Sequence, residues 1–524
     1  MKILHNARLH TLDESQPSAT ALVEDRGIVL AVGGEELLGE FEGAAREDLD
    51  GRVVLPGLID AHLHLKEYAL SLRRIDCETE TLKACLVRVA ERCSQAPAGE
   101  WILGHGWNQN TWGRWPTAAE LDSVAPANPV FLTAKSLHAA WVNTAALRRC
   151  GIRADTPDPA DGEIRRGAND EPAGVLLEGA QALVASHIPE PGVGELANAI
   201  AEAQPTLWRF GLTAVHDFDR RDCFMALQQM QADGRLKLRV TKSIPVDLLD
   251  QAHDLGLRTG FGNDRLRIGG VKVFMDGALG PRTAAMLDPY DGEPDNHGIL
   301  NLDGEELYEL GRKAAEVGLG MAVHAIGDRA NHEALRAFGQ LRAYERERGM
   351  PHVRHRIEHV QLLHPDDQRE LGRLDLVASM QPLHATSDMA MADQYWGPRA
   401  SLAYAWQSQL QAGARLAFGS DAPVESPNPF LGIHAAVTRR RADGSPGPEG
   451  WYPRQRISVR QALEAYTSGP AYAAYAEGRQ GTLSPGRFAD LIVLDRDPFT
   501  CDAAELKAFR SSATMIDGEW VLRS

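Results

Sequence analysis

The sequence predicts an α/β protein built on a (β/α)8 TIM-type barrel, and three observations support this prediction. Eight short apolar runs recur along the chain, patterns typical of amphipathic helices lie between most of them, and each run ends in polar residues. Buried parallel strands have continuous apolar sequences rather than a strict alternation of apolar and polar residues. A doubly wound open sheet is the alternative, but no glycine-rich phosphate-binding motif follows any of the runs.

The runs give the order of the predicted strands. They lie at residues 53–64, 211–219, 236–244, 266–277, 319–328, 353–361, 376–384 and 414–424. Helical patterns such as residues 306–318 and 332–348 separate them, as the crossover connections of a parallel sheet require. We therefore assign the barrel to residues 56–65 and 206–474.

The connection between the first and second strands is too long for a structureless loop. It contains helical patterns at residues 82–95 and 143–152 and strand-like segments at residues 100–107 and 128–136. We expect residues 66–205 to form a large inserted domain over the barrel mouth.

The two ends of the chain predict a third structural unit. Residues 1–55 and 475–524 contain short strand-like segments, which turn signals such as Asp25-Arg26-Gly27 and Ile516-Asp517-Gly518 separate. A small β-sandwich built from both termini is the simplest arrangement of these segments.

Composition limits the classes of partner and compartment. The chain has 524 residues and a formal net charge of −17, which disfavours nucleic acid and anionic membranes. The start has no apolar stretch of signal-peptide length, and no segment approaches the ~20 apolar residues of a membrane span. Six cysteines without a C-x-x-C pair are typical of free thiols in a reducing compartment. We expect a cytoplasmic protein with a small-molecule substrate, no nucleic acid or membrane partner, and a homodimer as its assembly.

The sequence Asp60-Ala61-His62-Leu63-His64 ends the first predicted strand. Because side chains alternate between the faces of a strand, His62 and His64 point the same way and can bind one metal ion. The alternative is that one histidine ends the strand and the other packs.

Other predicted strand ends carry further candidate ligands, namely Lys272, His324, His359 and Asp421. In a barrel of this kind, chemistry is assembled at the carboxyl ends of the strands. A lone histidine at a strand end is usually an ordinary polar residue, but five such coincidences on one rim favour a metal site. Imidazole and carboxylate ligands favour zinc, with iron, manganese or nickel as alternatives.

Lys272 lies on the same strand face as Phe274 and Asp276. Burial and nearby positive charge lower the pKa of a lysine, and a neutral amine can react with carbon dioxide to give a carbamate. A carboxylated Lys272 could bridge two metal ions. The alternatives are a neutral lysine and a pair with Asp276.

At these residues the chain resembles the amidohydrolase superfamily, and more narrowly amidohydrolase family 3, the group that includes N-substituted formamide deformylase-like enzymes. The resemblance rests on PGLIDAHLHL, GHGWNQNTW, GVKVFMDGALGPRTAAM, VHAIGDRA, HRIEHVQ, FGSDAPVESPNPFLGIHAAVTR and GTLSPGRFADLIVLD. It implies one metal ion held by His62, His64 and Asp421. It also implies a second position at His324 and His359, with carboxylated Lys272 as the bridge, and one or two ions in total.

The function that we expect is metal-dependent hydrolysis of a C–N bond of the amide type, as in an N-substituted formamide or N-acyl compound. Metal-activated hydroxide would attack the carbonyl carbon, and Asp421 would relay the proton to the leaving nitrogen. A metal-dependent deaminase or cyclic amide hydrolase on the same scaffold is the main alternative, and a non-catalytic scaffold protein is the other.

Five further residues are candidates for substrate contact, although packing or loop hydrogen bonds are the alternative for each: Trp107, Asn108, His138, Arg282 and His384. Trp107, with Trp112, Trp115 and Trp141, indicates either an apolar substrate pocket or the core of the insertion itself.

Overall fold

Eight parallel strands form the central barrel, as the sequence predicts. The computed structural model describes residues 1–134, 139–159, 162–167 and 170–523, with the side chain of Asn110 omitted. The barrel strands are β1 (Leu58–Leu63), β2 (Leu212–Asp217), β3 (Arg239–Pro245), β4 (Leu266–Phe274), β5 (Met321–Ala325), β6 (Arg356–His359), β7 (Val377–Met380) and β8 (Arg415–Phe418). Each strand pairs in parallel with the next one along the chain.

The barrel is closed just beyond the carboxyl ends of β1 and β8. Leu63 and Ala422 form a parallel bridge there. The amide N–H of Asp421 donates to the carbonyl oxygen of His62 at 2.6 Å, and that of His64 donates to Ala422 at 2.9 Å. The backbone that closes the barrel therefore carries three of the predicted metal ligands.

The crossover helices lie where the periodicity of the sequence predicts them. The predicted helices at 306–318 and 332–348 are observed at Gly304–Glu316 and Asp328–Glu347. The other helices of at least six residues that follow β1 are Val193–Arg209, Arg221–Ala232, Leu249–Asp254, Pro382–Trp396, Trp406–Gln411, Pro429–Thr438, Val459–Ala465 and Ser468–Ala473, together with Leu65–Ser71, Leu82–Gln95 and Thr144–Arg149. Within the described ranges, no helix is both long and apolar enough to cross a membrane.

The apolar run at residues 53–64 forms two strands rather than one. Val53–Pro56 pairs with Leu491–Leu494 in a sheet outside the barrel, and β1 begins at Leu58. Gly57 lies between them, and a Cβ atom on it would lie 2.3 Å from the hydroxyl oxygen of Thr213 on β2. The close approach of these backbones explains why glycine stands at the change of sheet.

Strands from both ends of the chain form two sheets. A four-stranded sheet contains Ile28–Gly33, Ala21–Asp25, Lys2–His5 and Ala45–Asp48. A six-stranded sheet contains Glu519–Arg523, Ala513–Ile516, Leu491–Leu494, Val53–Pro56, Arg8–His10 and Ser18–Ala19. Side chains of both sheets share one buried apolar cluster, which includes Leu4, Leu22, Val54, Leu491 and Met515.

The chain divides into two compact units, Met1–Lys66 with Ile200–Ser524, and Glu67–Ala199. The smaller unit has a sheet of its own, with strands Gly162–Arg166, Pro172–Glu178, Ala139–Val142, Val130–Ala134, Ile102–Trp107 and Ile75–Asp76. Its longest helix, Leu82–Gln95, has the bounds that the sequence predicts, and Thr81 caps it by accepting a hydrogen bond from the amide of Ala84.

Candidate active site

His62, His64 and Asp421 lie together at the closing point of the barrel. A carboxylate oxygen of Asp421 lies 3.4 Å from Nε2 of His62 and 3.5 Å from Nε2 of His64. Asp421 has a left-handed backbone with a φ of 59°, and its amide is bonded to the carbonyl of His62. This local bend of the chain after β8 aims the carboxylate at both imidazoles.

His324 and His359 lie beside this group. Their ring centroids are 4.5 Å apart, and the ring of His359 is 5.0 Å from that of His62. Nε2 of His324 donates to the carbonyl oxygen of Gly277 at 2.9 Å, and Nδ1 of His359 donates to the amide oxygen of Gln381 at 2.8 Å. The structure thus brings all four predicted histidines and the predicted aspartate to one rim of the barrel.

His384 lies in the same group, although the sequence predicts it as a substrate contact. One nitrogen of His384, one of His359 and a carboxylate oxygen of Asp421 lie within 4.8 Å of one another, as do the ligand atoms of His62, His64 and Asp421. Each trio has the composition and spacing that a divalent cation needs.

Buried acidic side chains orient His62, which is in β1, and His64, which follows it directly. Oε2 of Glu358 lies 2.6 Å from Nδ1 of His62, and Oδ1 of Asp219 lies 3.2 Å from Nδ1 of His64. Because a carboxylate accepts the Nδ1 proton, the lone pair on Nε2 is left free to face a cation. Arg356 fixes Glu358 in turn, with its guanidinium bonded to both carboxylate oxygens.

Sequence reasoning did not find Glu358, Asp219 or Gln381 as parts of the site. For Glu358 there is a signal, since Arg356 and Glu358 are two residues apart and therefore lie on one face of a predicted buried strand. Charged residues are almost never fully buried unless they are paired, so this pattern indicates a buried ion pair. For Asp219 and Gln381 the chain order offers no comparable signal.

Lys272 is buried on β4, with Nζ 4.9 Å from the ring centroid of Phe218 and 4.7 Å from that of Phe274. Burial, with a contribution from Arg356, lowers the pKa of this lysine to about 8, even though Glu358 and Asp421 oppose the shift. The carboxylate of Asp276 accepts backbone N–H groups from Ala285, Ile326 and Gly327.

Two of the histidines are neutral near pH 7. Burial first, and the charge of Lys272 second, lower the pKa of His62 to about 4 and that of His324 to about 3. A neutral imidazole has the lone pair that metal coordination requires.

His64 differs from these two histidines. Burial alone would lower its pKa, but Asp219 and Asp421 outweigh that effect and raise the pKa to about 10. Burial would raise the pKa of Asp421, but the neighbouring imidazole of His62 and the hydrogen bond with His64 hold it well below its usual range. The carboxylates that stabilise a proton on His64 would equally stabilise a metal cation in its place, so the donor set fits a divalent ion.

Known proteins share this fold and these motifs. The sequence pattern that defines the amidohydrolase family matches residues 46–522. The chain belongs to the amidohydrolase family. It is 33% identical to YtcJ of Bacillus subtilis strain 168 over 99% of both chains, and 30% identical to the N-substituted formamide deformylase of Arthrobacter pascens over 98% of this chain and 96% of that one.

A crystal structure of a metal-dependent hydrolase from Pyrococcus furiosus is also similar. It is 31% identical in sequence, with a TM-score of 0.79, and the match covers 95% of this chain and 100% of that one. This amidohydrolase is a metal-dependent hydrolase that acts on carbon–nitrogen bonds, and the family predicted from the sequence is confirmed.

Among the described residues, the others that the sequence predicts as substrate contacts have hydrogen-bond or ion-pair partners within the protein. Trp107 is fully buried in the smaller unit, and its indole N–H donates to the carbonyl of Leu132. The carbonyl of Asn108 accepts the amide of Trp112, and Arg282 pairs with Glu293. His138 lies outside the described residues.

A third group of possible ligands, Asp217, Asp219 and Cys223, lies behind His64. The ammonium of Lys242 is 2.8 Å from Asp217 and also donates to the carbonyl of Asp219. A lysine therefore already supplies the positive charge that these carboxylates require.

Proposed function

We propose that this amidohydrolase hydrolyses the amide-type C–N bond of small N-substituted formamides or N-acyl compounds. The observation that carries the proposal is the convergence of His62, His64, His324, His359 and Asp421 on one rim of the barrel. The similarity over nearly the whole chain to an N-substituted formamide deformylase supports the choice of bond.

We assign His62, His64 and Asp421 to one metal ion, and His324 and His359 to a second position, with carboxylated Lys272 as the bridge. The lowered pKa of Lys272 supports the carbamate, because only a neutral amine reacts with carbon dioxide. Neutral imidazoles with a carboxylate favour zinc. Such an ion would supply Lewis-acid activation of water and of the substrate carbonyl.

Asp421 is the residue that we assign to proton transfer. Its carboxylate is ionised, and it lies 3.4 and 3.5 Å from the Nε2 atoms of His62 and His64, beside the predicted metal position where the attacking water would be held. The same carboxylate would then deliver that proton to the leaving nitrogen, as a general base that becomes a general acid.

The replacement Asp421→Asn tests this role. We expect kcat on an N-substituted formamide such as N-benzylformamide to fall by about 100-fold or more, because a positioned proton-transfer group contributes 10²–10⁴-fold. Formate release measures turnover, and Asp443→Asn, in an exposed turn, is the control. Activity of Asp421→Asn within about tenfold of wild type would contradict the relay. Release of ammonia instead of formate, across a panel that includes cyclic amidines, would indicate a deaminase.

We also propose the division into a β-sandwich of residues 1–55 and 475–524, a barrel of residues 56–65 and 206–474, and an insertion of residues 66–205. The apolar cluster shared by the two terminal sheets and the separate sheet of the smaller unit support it. Free thiols at all six cysteines support a cytoplasmic location.

A further inference from the structure

His384 is buried beside the predicted metal ligands, with 8% of its surface exposed. It lies in the first turn of the helix Pro382–Trp396, and its ring is stacked 6.0 Å from that of His359. Nε2 lies 3.7 Å from a carboxylate oxygen of Asp421, which is too long for a hydrogen bond. No hydrogen-bond partner for this nitrogen exists among the residues that the structure describes.

The other four histidines are all hydrogen-bond donors through one ring nitrogen. In each, one ring nitrogen donates to an oxygen: His62 to Glu358, His64 to Asp219, His359 to Gln381 and His324 to Gly277. In His62, His324 and His359 the second ring nitrogen therefore keeps its lone pair and can bind a metal ion, and in His64 a metal ion would take the place of the second ring proton.

In His384, by contrast, the hydrogen-bonded ring nitrogen is an acceptor. Its Nδ1 lies 3.4 Å from the amide nitrogen of Gln361, which can only donate a hydrogen bond. With the amide of Gln361 as the structure places it, Nδ1 is the acceptor and the ring proton is on Nε2; the Oε1 atom of that amide has no hydrogen-bond partner among the described residues. A protonated nitrogen cannot coordinate a metal ion, whereas it can donate a hydrogen bond to a ligand.

The position of His384 in its helix favours an acceptor that carries negative charge. The amino terminus of a helix has a partial positive charge, which stabilises anions nearby. A buried N–H group without a partner costs free energy, so a native protein keeps one where a ligand completes it.

We propose that His384 donates a hydrogen bond from Nε2 to the carbonyl oxygen of the substrate and is not a ligand of the metal. The proposal rests on the proposed function, because it requires a carbonyl compound. As the water oxygen adds to the carbonyl carbon, the π electron pair moves to the carbonyl oxygen. The Nε2 proton stays on the imidazole and its hydrogen bond strengthens as the negative charge develops.

Two nearly isosteric replacements separate a donor from a ligand. In His384→Gln, an amide N–H group can take the place of Nε2, whereas His384→Glu places there an oxygen that binds metal and donates nothing when ionised. His384→Ala removes both functions, and His359→Gln is the matched control at a predicted ligand. Zinc per chain, after loading and dialysis against a chelator, and the affinity for methylphosphonate, a tetrahedral anion, are measured on all of these proteins.

We expect His384→Ala and His384→Gln to retain the zinc content of wild type, while His359→Gln loses zinc. Methylphosphonate should bind about 10- to 100-fold more weakly to His384→Ala, as for a lost hydrogen bond to a charged group, and His384→Gln should recover most of that loss. For a formamide that wild type hydrolyses, kcat of His384→Ala should fall by about 10²–10³-fold with little change in KM.

Loss of zinc from both His384→Ala and His384→Gln, with retention in His384→Glu, would overturn the proposal and make His384 a ligand. Equal methylphosphonate affinity in wild type and His384→Ala, or no binding to zinc-loaded wild type, would also overturn it. If no formamide is hydrolysed but methylphosphonate binding still depends on His384, the proposed substrate is wrong and the role of His384 stands.

Discussion

Glu358 is the buried carboxylate on which the orientation of His62 depends. It is fully buried on β6 and lies 2.6 Å from Nδ1 of His62. Burial alone would raise its pKa, but Arg356 and His62 hold that pKa well below the usual range. The negative charge on Glu358 increases the basicity of the nitrogen that faces the predicted cation.

We expect Glu358→Gln to weaken zinc binding by about 10- to 100-fold, because loss of a partner of a metal-bound histidine has that effect. Glu345→Gln is the matched control, since Glu345 is a buried carboxylate that holds His355 at 3.0 Å in another part of the barrel. Chelator competition gives the zinc affinities, and urea unfolding gives the stabilities. A similar zinc affinity in both variants would remove Glu358 from the site.

His64, directly after β1 and more exposed than His62, provides a direct test of ligation. We expect His64→Ala to lose zinc and hydrolytic activity in parallel, because it removes one donor from the trio with His62 and Asp421. Elemental analysis and formate release are the measurements, with the exposed His352→Ala as control. Full zinc content in His64→Ala would show that it is not a ligand.

Six residues of the candidate site could be predicted from the sequence because each lies near the carboxyl end of a predicted strand, and the barrel fold brings strand ends together. His384, in the sequence QPLH, shows what the sequence could not predict. The place of this histidine beside Asp421 depends on how the chain turns from β7 into the next helix. Which of its ring nitrogens carries the proton depends on Gln361, which lies in the connection after β6. Such contacts between distant residues leave no local pattern.

At the scale of elements, Gly419 allows β8 to approach β1. A Cβ atom on Gly419 would lie 2.4 Å from the backbone nitrogen of His62 and 2.8 Å from a carboxylate oxygen of Asp60. These atoms belong to the backbone and to a buried side chain, so neither can move aside without moving β1.

We expect Gly419→Ala to destabilise the protein by about 1–3 kcal/mol, as overpacking of a core does, and to lower zinc content by displacing Asp421 from His62. Gly339→Ala is the control: Gly339 is in the helix Asp328–Glu347, and apart from the neighbouring backbone of that helix no described atom lies within 4 Å of the added Cβ. That variant should be unchanged or more stable by up to about 1 kcal/mol. Thermal unfolding and elemental analysis measure both effects.

The apolar run at residues 53–64 shows which element bounds the sequence could not predict. Its composition is that of one buried strand, because both halves are buried. The change of sheet at Gly57 follows from contact with Thr213, more than 150 residues away in the chain. The helices Gly304–Glu316 and Leu82–Gln95 could be predicted closely because their apolar residues recur with the helical period.

At the scale of the whole molecule, Arg239 joins the barrel to the strands from the chain termini. It begins β3, and its guanidinium bonds both oxygens of Asp490 at 2.6 and 3.0 Å and one oxygen of Asp517 at 3.1 Å. It also lies over the ring of Phe488, 3.5 Å from the centroid. Arg239 and Asp490 are buried, so each compensates the charge of the other.

We expect Arg239→Met to lower the free energy of unfolding by about 3–5 kcal/mol, because the Asp490 carboxylate would stay buried without its main counter-charge. Zinc affinity should not change. Arg312→Met removes the exposed ion pairs of Arg312 with Glu309 and Glu316. It should lower the free energy of unfolding by at most about 1 kcal/mol. Urea unfolding of both variants is the measurement, and equal losses would contradict the role of Arg239.

The joining of β1 to β8 at the closing point of the barrel has a consequence for biosynthesis. His62 and His64 emerge from the ribosome early, and their partner Asp421 emerges only with the last barrel strand. At about 5–20 residues per second, the interval between residues 64 and 421 lasts on the order of 20–70 s. A nascent chain therefore displays two of the predicted ligands without the third for most of its translation, and a metal ion could be captured in the complete predicted site only once synthesis has passed Asp421.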